Sequence, residues 1–229
     1  MKRTVWTLLN VAILLFAVSL TSCRDDDGPF ADKAVLTDIA VVMESADGAA
    51  CFAVQKGEDT PSATLIVPSL TLNDKEFPVG DRLLLSYHYS DPTTPAYSSG
   101  EVSVDGIAKI NNDVLRIDPI DAHPNWDKTP IYLYSIWRTG CYINVNSRLT
   151  YSTTTRTFML MVDKATVDDE VPELYLVHDI KDAPDNFTRH NYASFDISAL
   201  WNRPTCKGVN INVASTNNPQ KSFTFNKPL

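Results

Sequence analysis

Motifs that carry out chemistry are scarce in this chain of 229 residues. With only eight glycines, it has little scope for a glycine-rich loop that holds a phosphate group. It contains no HExxH, paired CxxC or GxSxG motif, and none of its histidines has metal-ligand spacing with another histidine or a cysteine: His88, His123, His178 and His190. We therefore expect a non-catalytic protein with no metal and no cofactor. A hydrolase with a dispersed site is the less favoured alternative, because the members of a catalytic triad meet only in space.

Positive charge is also in short supply. The full chain has 20 lysines and arginines against 28 aspartates and glutamates, which gives a formal net charge of −8. The basic residues are scattered along the sequence and form no stripe. A polyanion would be repelled by such a surface unless one face were locally basic, so we expect no nucleic-acid partner.

The one extended apolar run, residues 5–20, is shorter than the roughly 20 residues that a membrane-spanning helix needs. Lys2 and Arg3 precede it and Leu20-Thr21-Ser22-Cys23 follows it, which is the order of a secretory signal that ends in a bacterial lipobox. We predict a lipoprotein signal peptide over residues 1–22 and a lipidated (palmitate-bearing) Cys23 that attaches the protein to a membrane. An ordinary cleaved signal with a chance cysteine is the alternative.

An acidic segment, Arg24-Asp25-Asp26-Asp27-Gly28, follows the cysteine directly. Like charges keep such a segment solvated and extended, so residues 23–33 are predicted to be a tether. In some Gram-negative bacteria, an acidic stretch at this place directs a lipoprotein to the outer face of the outer membrane. We therefore expect an outer-membrane lipoprotein that faces the cell exterior.

Three cysteines remain after Cys23, namely Cys51, Cys141 and Cys206. This odd number allows at most one internal disulfide. The first two lie in apolar, strand-like stretches. Buried free cysteines behave as small hydrophobic residues, and we prefer that interpretation to a disulfide or a nucleophile.

The pattern of the remaining chain favours β-structure. Short runs of β-branched, aromatic and aliphatic residues alternate with Pro, Gly, Asn and Asp, and helical periodicity is nearly absent. We predict five or six strands in the first half and six or seven in the second, separated by the turn-rich stretch around Pro119 and Pro124. Alternation such as that of Cys141, Ile143 and Val145 is typical of half-buried antiparallel strands and suggests a two-sheet sandwich. Residues 198–201 are predicted to form one helical turn after Asp196.

Aromatic residues crowd the start of the second half: Trp126, Tyr132, Tyr134, Trp137 and Tyr142. Strict alternation places Tyr132 and Tyr134 on one face of a strand, with Leu133 and Trp137 on the other. We favour a role in the core and in a domain interface. The alternative is an exposed ligand platform of Tyr132, Tyr134 and Trp137, on which sugar rings could stack.

Two acidic groups are weaker candidates for a site. The first is His178-Asp179 with Asp182 and Asp185, which we interpret as a solvated turn after a strand. The second group lies in a predicted loop and comprises Asp163, Asp168, Asp169 and Glu170. Calcium could bind to these carboxylates, but they lack the regular D-x-D-x-D-G spacing, so we interpret the segment as a solvated loop.

The lipobox with its acidic follower resembles those of the NigD-like lipoproteins. Five further stretches are similar to the family: 77–87 (FPVGDRLLLSY), 118–120 (DPI), 136–145 (IWRTGCYINV), 175–178 (YLVH) and 195–200 (FDISAL). The resemblance implies an N-terminal OB-like barrel and a C-terminal β-sandwich. The resemblance implies no agreed biochemical activity and no catalytic residue. The family takes its name from an association with bacteriocin production.

The predicted domains are a signal peptide (1–22), an acidic tether (23–33), an OB-like barrel (34–118), a linker (119–130) and an antiparallel β-sandwich (131–229). The leading hypothesis is a non-catalytic lipoprotein that acts as an interaction or assembly component and binds the membrane through its lipid. A surface glycan-binding module is the alternative, so that the partner is a protein or a glycan.

Overall fold

The computed structural model describes residues 34–181, 184 and 187–228. The predicted signal peptide, the lipidation site Cys23 and the acidic tether lie outside these residues, as do Asp182 and Asp185. Within the described ranges, no helix has both the length and the apolar character needed to cross a bilayer. The regular secondary structure of the described residues is almost entirely β-strand, as the sequence predicts.

Five strands at the N-terminal end close into a barrel: β1 (Leu36–Ala46), β2 (Ala49–Val54), β3 (Ala63–Val67), β4 (Arg82–Tyr89) and β5 (Gly100–Lys109). Antiparallel pairing joins β1 to both β2 and β4, whereas β3 and β5 run parallel. The resulting closed order, β1-β2-β3-β5-β4, confirms the predicted OB-like barrel.

Local sequence explains two features of this barrel. Asp47 and Gly48 have φ angles of 51° and 83°, the conformation of the tight hairpin turn that joins β1 to β2. Along β4, Leu83, Leu85 and Tyr87 are almost completely buried in the barrel core. Because side chains alternate along a strand, Arg82 lies on the outer side of the barrel, although it too is buried.

Nine strands form the sandwich: β6 (Asn111–Val114), β7 (Arg116–Asp118), β8 (Tyr132–Thr139), β9 (Tyr142–Tyr151), β10 (Thr157–Asp163), β11 (Glu173–Asp179), β12 (Phe187–Asp196), β13 (Gly208–Val213) and β14 (Ser222–Asn226). One sheet has the order β14-β13-β11-β10-β7, and the other has the order β6-β12-β9-β8. The core lies between the sheets, where Ile143 and Phe195 face Leu160 and Ile211. The predicted β-sandwich is therefore confirmed.

The strand pairing shows that the barrel ends earlier in the chain than the predicted boundary at residue 118. Strand β6 runs parallel to β12, with Asn112 opposite Ser194, and β7 runs parallel to β10, with Ile117 opposite Val162. Residues 111–118 thus complete the sandwich sheets, whereas the sequence placed them in the barrel. Their partners lie far away in the sequence, and such short strands carry no pattern that indicates which sheet they join.

The segment predicted as a linker covers the outer face of the five-stranded sheet. It contains a 3-10 turn (Ile120–Ala122), and Trp126 packs edge-on against Tyr175 with ring centroids 5.0 Å apart. Beneath it, Met159 and Met161 are buried on the side of β10 opposite the main core. Trp126 is therefore a packing residue, as the favoured interpretation of the aromatic group predicts.

The predicted helical turn is observed, and the prediction for the cysteines is confirmed for Cys51 but not fully for Cys141. Helix α1 (Ser198–Trp201) follows Asp196, whose Oδ1 accepts a hydrogen bond from the Ser198 backbone N–H at 2.7 Å. All three described cysteines are free. Cys51 and Cys206 are buried. Cys141 lies in the turn between β8 and β9 and is half-buried, so its predicted place in a strand was wrong; desolvation raises the pKa of its thiol.

Candidate binding face

The candidate site lies on the outer face of the four-stranded sheet, and a bulge in β8 decides which side chains it carries. The pairing of β8 with β9 shifts register between Leu133 and Ser135. Leu133 packs in the core and, after the shift, so does Ile136. Trp137 therefore lies on the same face of the sheet as Tyr132, and the prediction that Trp137 lies on the face opposite the tyrosines was wrong. Strict alternation fails here because a bulge inserts one extra residue.

An aromatic row runs across this face, and we define it as Tyr132, Tyr134, His190 and Tyr192. Successive ring centroids are 5.0, 5.2 and 4.9 Å apart, across strands β8 and β12. Tyr132 and Tyr134 are 42% and 45% exposed. Both are thus surface residues, and the favoured assignment of these two tyrosines to a core or a domain interface was wrong.

Arg148, on the intervening strand β9, orders the exposed end of the row. Its Nη2 donates a hydrogen bond to the Tyr134 hydroxyl at 2.7 Å. Its guanidinium carbon lies 5.7 Å from the Tyr132 ring centroid and 5.9 Å from that of Tyr134, within the range of cation–π attraction. The two rings are therefore held in place while one side of each stays open to solvent.

The other end of the sheet face is covered by the barrel, through Arg82. Its Nη2 donates to Thr139 Oγ1 and to Asn144 Oδ1, both at 3.2 Å, and its guanidinium lies 4.1 Å from the Tyr142 ring centroid. Ser194 Oγ also donates to Asn144 Oδ1, at 2.9 Å. Burial lowers the pKa of Arg82 to about 10. We call Arg82, Thr139, Asn144 and Ser194 the Arg82 cluster.

A second arginine, Arg138, joins the sandwich to the β2–β3 loop of the barrel. Its side chain is fully buried, and its Nη2 donates to Glu58 Oε2 at 3.1 Å and to Asp59 Oδ2 at 2.7 Å. Its guanidinium also lies 4.4 Å from the Trp201 ring centroid. We call Arg138, Glu58 and Asp59 the Arg138 clamp. Together with the Arg82 cluster, it fixes the barrel against the sandwich at two points.

The junction cleft, of about 310 Å³, opens between the barrel and the sheet face. The barrel contributes Asp38, Lys56 and Tyr97, and the sheet contributes Trp137 and Tyr192. Asp38 accepts hydrogen bonds from the hydroxyls of Tyr87 (3.1 Å) and Tyr97 (3.3 Å). Burial raises the pKa of Asp38, and these two hydrogen bonds act in the opposite direction.

The lateral cleft, of about 440 Å³, lies on the other side of Tyr192, which lines both clefts. Its lining includes Lys109 from the barrel and Tyr151, Arg189 and His190 from the sheet. The aromatic row therefore ends at a ridge between two polar clefts. Aromatic surface beside amide and charged groups is suited to holding a polar ligand with flat apolar faces.

Two acidic residues of the predicted solvated loop form ion pairs with basic side chains. Asp168 pairs with Arg203 at 2.7 Å, and Glu170 pairs with Lys207. Among the residues that the structure describes, no group of three or more His, Cys, Asp or Glu side chains is arranged to hold a metal ion. His178 is buried within β11, so its interpretation as part of a solvated turn was wrong. Its Nδ1 lies 3.0 Å from the Thr129 carbonyl oxygen, and desolvation lowers the pKa of its ring.

The sequence did not identify Arg82, Arg138, His190 or Tyr192 as parts of a site. The two arginines did carry a signal, because each stands in an apolar strand segment, where an unpaired charge would be costly. Their partners could not be predicted, since Arg82 lies 57 residues from Thr139 and Arg138 lies 80 residues from Glu58.

The profile of the NigD-like C-terminal β-sandwich domain matches residues 118–227. A search among curated proteins found no match. Among solved structures, a protein of unknown function from Bacteroides vulgatus is similar with a TM-score of 0.64 and 16% identity, over 86% of this chain and 92% of that one.

Two further solved structures share the fold. A NigD-like immunity protein from Bacteroides caccae has a TM-score of 0.54 and 14% identity, over 84% of this chain and 92% of that one. A candidate lipoprotein from Bacteroides fragilis has a TM-score of 0.54 and 11% identity, over 84% of this chain and 96% of that one. At such identities the structures show the fold alone, and the domain match identifies residues 118–227 as a NigD-like C-terminal β-sandwich domain.

Proposed function

We propose that this protein is a non-catalytic binding component of the bacterial cell envelope. Lipid on Cys23 holds it in the outer membrane, and its binding face is turned to the cell exterior. The aromatic row carries the binding part of this proposal, because it exposes ordered rings beside two polar clefts. Ordered rings lose little conformational entropy when a partner packs on them.

The chemistry of the junction cleft supports binding more than catalysis. Its carboxylate, Asp38, is engaged by two tyrosine hydroxyls. The described histidine–carboxylate contacts, His88 with Asp105 and His123 with Asp118, involve residues that do not line this cleft. The cleft instead offers amide, hydroxyl and guanidinium groups, which recognise a ligand by hydrogen bonds.

The N-terminal sequence supports the membrane attachment, and one solved structure with this fold is a candidate lipoprotein. Cell fractionation tests the attachment. We expect Cys23→Ser to move the protein from the membrane to the soluble fraction, and a variant that stays on the membrane would refute the lipid anchor. Protease treatment of whole cells tests the exposure, which should be lost when Asp25, Asp26 and Asp27 are replaced by alanine.

Site-specific photocrosslinking tests the binding face. A photoreactive phenylalanine analogue at position 134 should form a covalent adduct with envelope material on intact cells, because Tyr134 lies in the aromatic row. The matched control carries the same analogue at Val171, an exposed position outside this face. Adducts at neither position, or equal adducts at both, would refute the assignment of the binding face.

A further inference from the structure

Basic side chains gather around the aromatic row, although the chain as a whole is acidic. Lys56 and Arg82 line the junction cleft, Lys109 and Arg189 line the lateral cleft, and Arg148 lies on the row itself. The described residues that line these two clefts include a single carboxylate, Asp38. The binding face is thus a locally basic region on a protein of net charge −8.

The other acidic side chains near Arg82 do not make the binding face acidic, because they line a different cleft. Asp81, Asp113 and Asp196 line a separate cleft of about 320 Å³, which Arg82 also borders. Asp38, in the junction cleft, is already engaged by the hydroxyls of Tyr87 and Tyr97. A ligand on the row therefore meets cations on both sides of Tyr192.

The aromatic row limits the ligand to one with flat apolar faces. Exposed tyrosine rings present an apolar face and a polar hydroxyl, which suits the alternation of C–H and O–H groups on a sugar ring. Asn144 and Asn146 line the junction cleft and provide amides that can pair with hydroxyl groups. Arginine pairs with carboxylates through charge-assisted, often bidentate hydrogen bonds.

We infer that the aromatic row and its two flanking clefts bind an acidic polysaccharide of the uronic-acid type. Sugar rings stack on Tyr132, Tyr134 and Tyr192, and carboxylates pair with Arg148, Arg189 and Lys109. This inference rests on the proposed function, since it names the ligand of the same face.

A nucleic acid is the other polymer that combines ring faces with negative charge. It carries a phosphate on every nucleotide, so a long strand would meet the acidic remainder of this surface. The cations of the binding face are few and separated by aromatic and amide side chains. This spacing favours a chain whose charges are interspersed with neutral hydroxyl-rich surface.

Calorimetric titration of the full-length lipoprotein in detergent micelles tests the inference. The probes are oligosaccharides of alginate, polygalacturonate and hyaluronan, each beside its carboxyl-reduced neutral form, and a single-stranded oligothymidylate. We expect at least one acidic oligosaccharide to bind about tenfold more tightly than its reduced form, because the loss of one charge-assisted hydrogen bond has roughly that effect. No binding of any acidic probe at millimolar concentration, equal binding of the neutral forms, or a preference for oligothymidylate would overturn the inference.

Two variants locate the ligand on the face. Tyr134→Ala should weaken the acidic and the neutral forms alike, because it removes a stacking surface. The double change Lys109→Gln and Arg189→Gln should weaken the acidic form alone and so reduce the preference for it. Val171→Ala is the control, and thermal melting of each variant confirms folding. Arg148 is retained in this variant, so a preference for the acidic form that is as large as in the wild type would overturn the assigned positions.

The crosslinking experiment separates this inference from the proposed function. A protein adduct at position 134, without binding of any acidic oligosaccharide, would overturn the polysaccharide and leave the binding face in place. Absence of both would overturn both.

Discussion

Arg82 of the barrel and Asn144 of the sandwich are joined by a hydrogen bond of 3.2 Å between Nη2 and Oδ1. The Asn144 amide nitrogen donates in turn to Thr139 Oγ1 at 2.9 Å. The oxygen of Asn144 therefore accepts from the barrel while its nitrogen stays bound within the sheet. Because these groups are largely buried, the contact links the two domains in a setting where a hydrogen bond is electrostatically stronger than in water.

Replacement of Arg82 by methionine tests this link. We expect the free energy of unfolding to fall by about 2 kcal/mol, because hydrogen bonds to charged groups are worth about 1.5–3 kcal/mol each and methionine retains an apolar stem of similar length. Urea denaturation followed by tryptophan fluorescence measures the change.

Arg116→Met is the matched control for Arg82→Met. Arg116 pairs with Asp113 at 3.2 Å, but its side chain is 58% exposed. Exposed ion pairs contribute little, so this variant should remain within about 0.5 kcal/mol of the wild type. Equal losses for the two variants would contradict a special role for Arg82.

The Arg138 clamp should show non-additive energetics. Glu58 and Asp59 both accept from Nη2 of the same buried guanidinium. Either carboxylate alone still compensates the buried charge, whereas the loss of both leaves it unpaired. We expect the combined Glu58→Gln and Asp59→Asn variant to lose about 1 kcal/mol more than the sum of the single variants in a double-mutant cycle. Strictly additive losses would show that the carboxylates act independently.

His178 should make the folded protein less stable as the pH falls. Burial lowers the pKa of its ring below the ordinary value of 6.5. As the pH decreases, the unfolded chain therefore binds a proton on this ring before the folded chain does, and the unfolding free energy declines from about pH 6.5 down to the lower folded pKa. His178→Gln should show a shallower decline between about pH 7 and pH 5. Identical pH slopes for the two proteins would refute this assignment.

Gly208 should not tolerate a side chain. A Cβ placed at this position would lie 2.6 Å from the Phe225 carbonyl oxygen and 3.1 Å from Asn226 Cα, in the neighbouring strand β14. Both atoms belong to the backbone of β14, which has little room to relax, and we expect Gly208→Ala to cost about 1–3 kcal/mol of stability.

Gly106→Ala is the control for that change. Gly106 also lies in a strand, but a Cβ there would come no closer than 4.0 Å to the Ser86 Cβ. Its effect should be near zero or slightly favourable, because alanine has less freedom to lose on folding. Similar melting temperatures for the two alanine variants would contradict the steric argument.

Local patterns predicted the strands well where one face is buried. Ile143 and Val145 are both fully buried on the core side of β9, as their spacing indicates. The resemblance of the chain to a known family then supplied the barrel and the sandwich, which strand counting alone did not distinguish.

The candidate site was predictable only in part, for geometric reasons. Tyr132 and Tyr134 were recognised as a possible platform, but the bulge that places Trp137 on their side leaves no mark in the apolar pattern. His190 and Tyr192 reach the row because β12 pairs with β9, which places them opposite Arg148 and Asn146, residues that are distant in the sequence. Such long-range pairing depends on the whole sheet, so no short motif indicates it.

The contacts that the Arg82 cluster and the Arg138 clamp make between barrel and sandwich have a consequence for any exchange of domains between related proteins. A chimera that took its OB-like domain from a relative would bring a different β2–β3 loop beside the fully buried guanidinium of Arg138. Unless that loop carried carboxylates at the places of Glu58 and Asp59, the hybrid would inherit a cation with no counter-ion. An exchange that kept the β2–β3 loop together with the sandwich would avoid this unpaired charge.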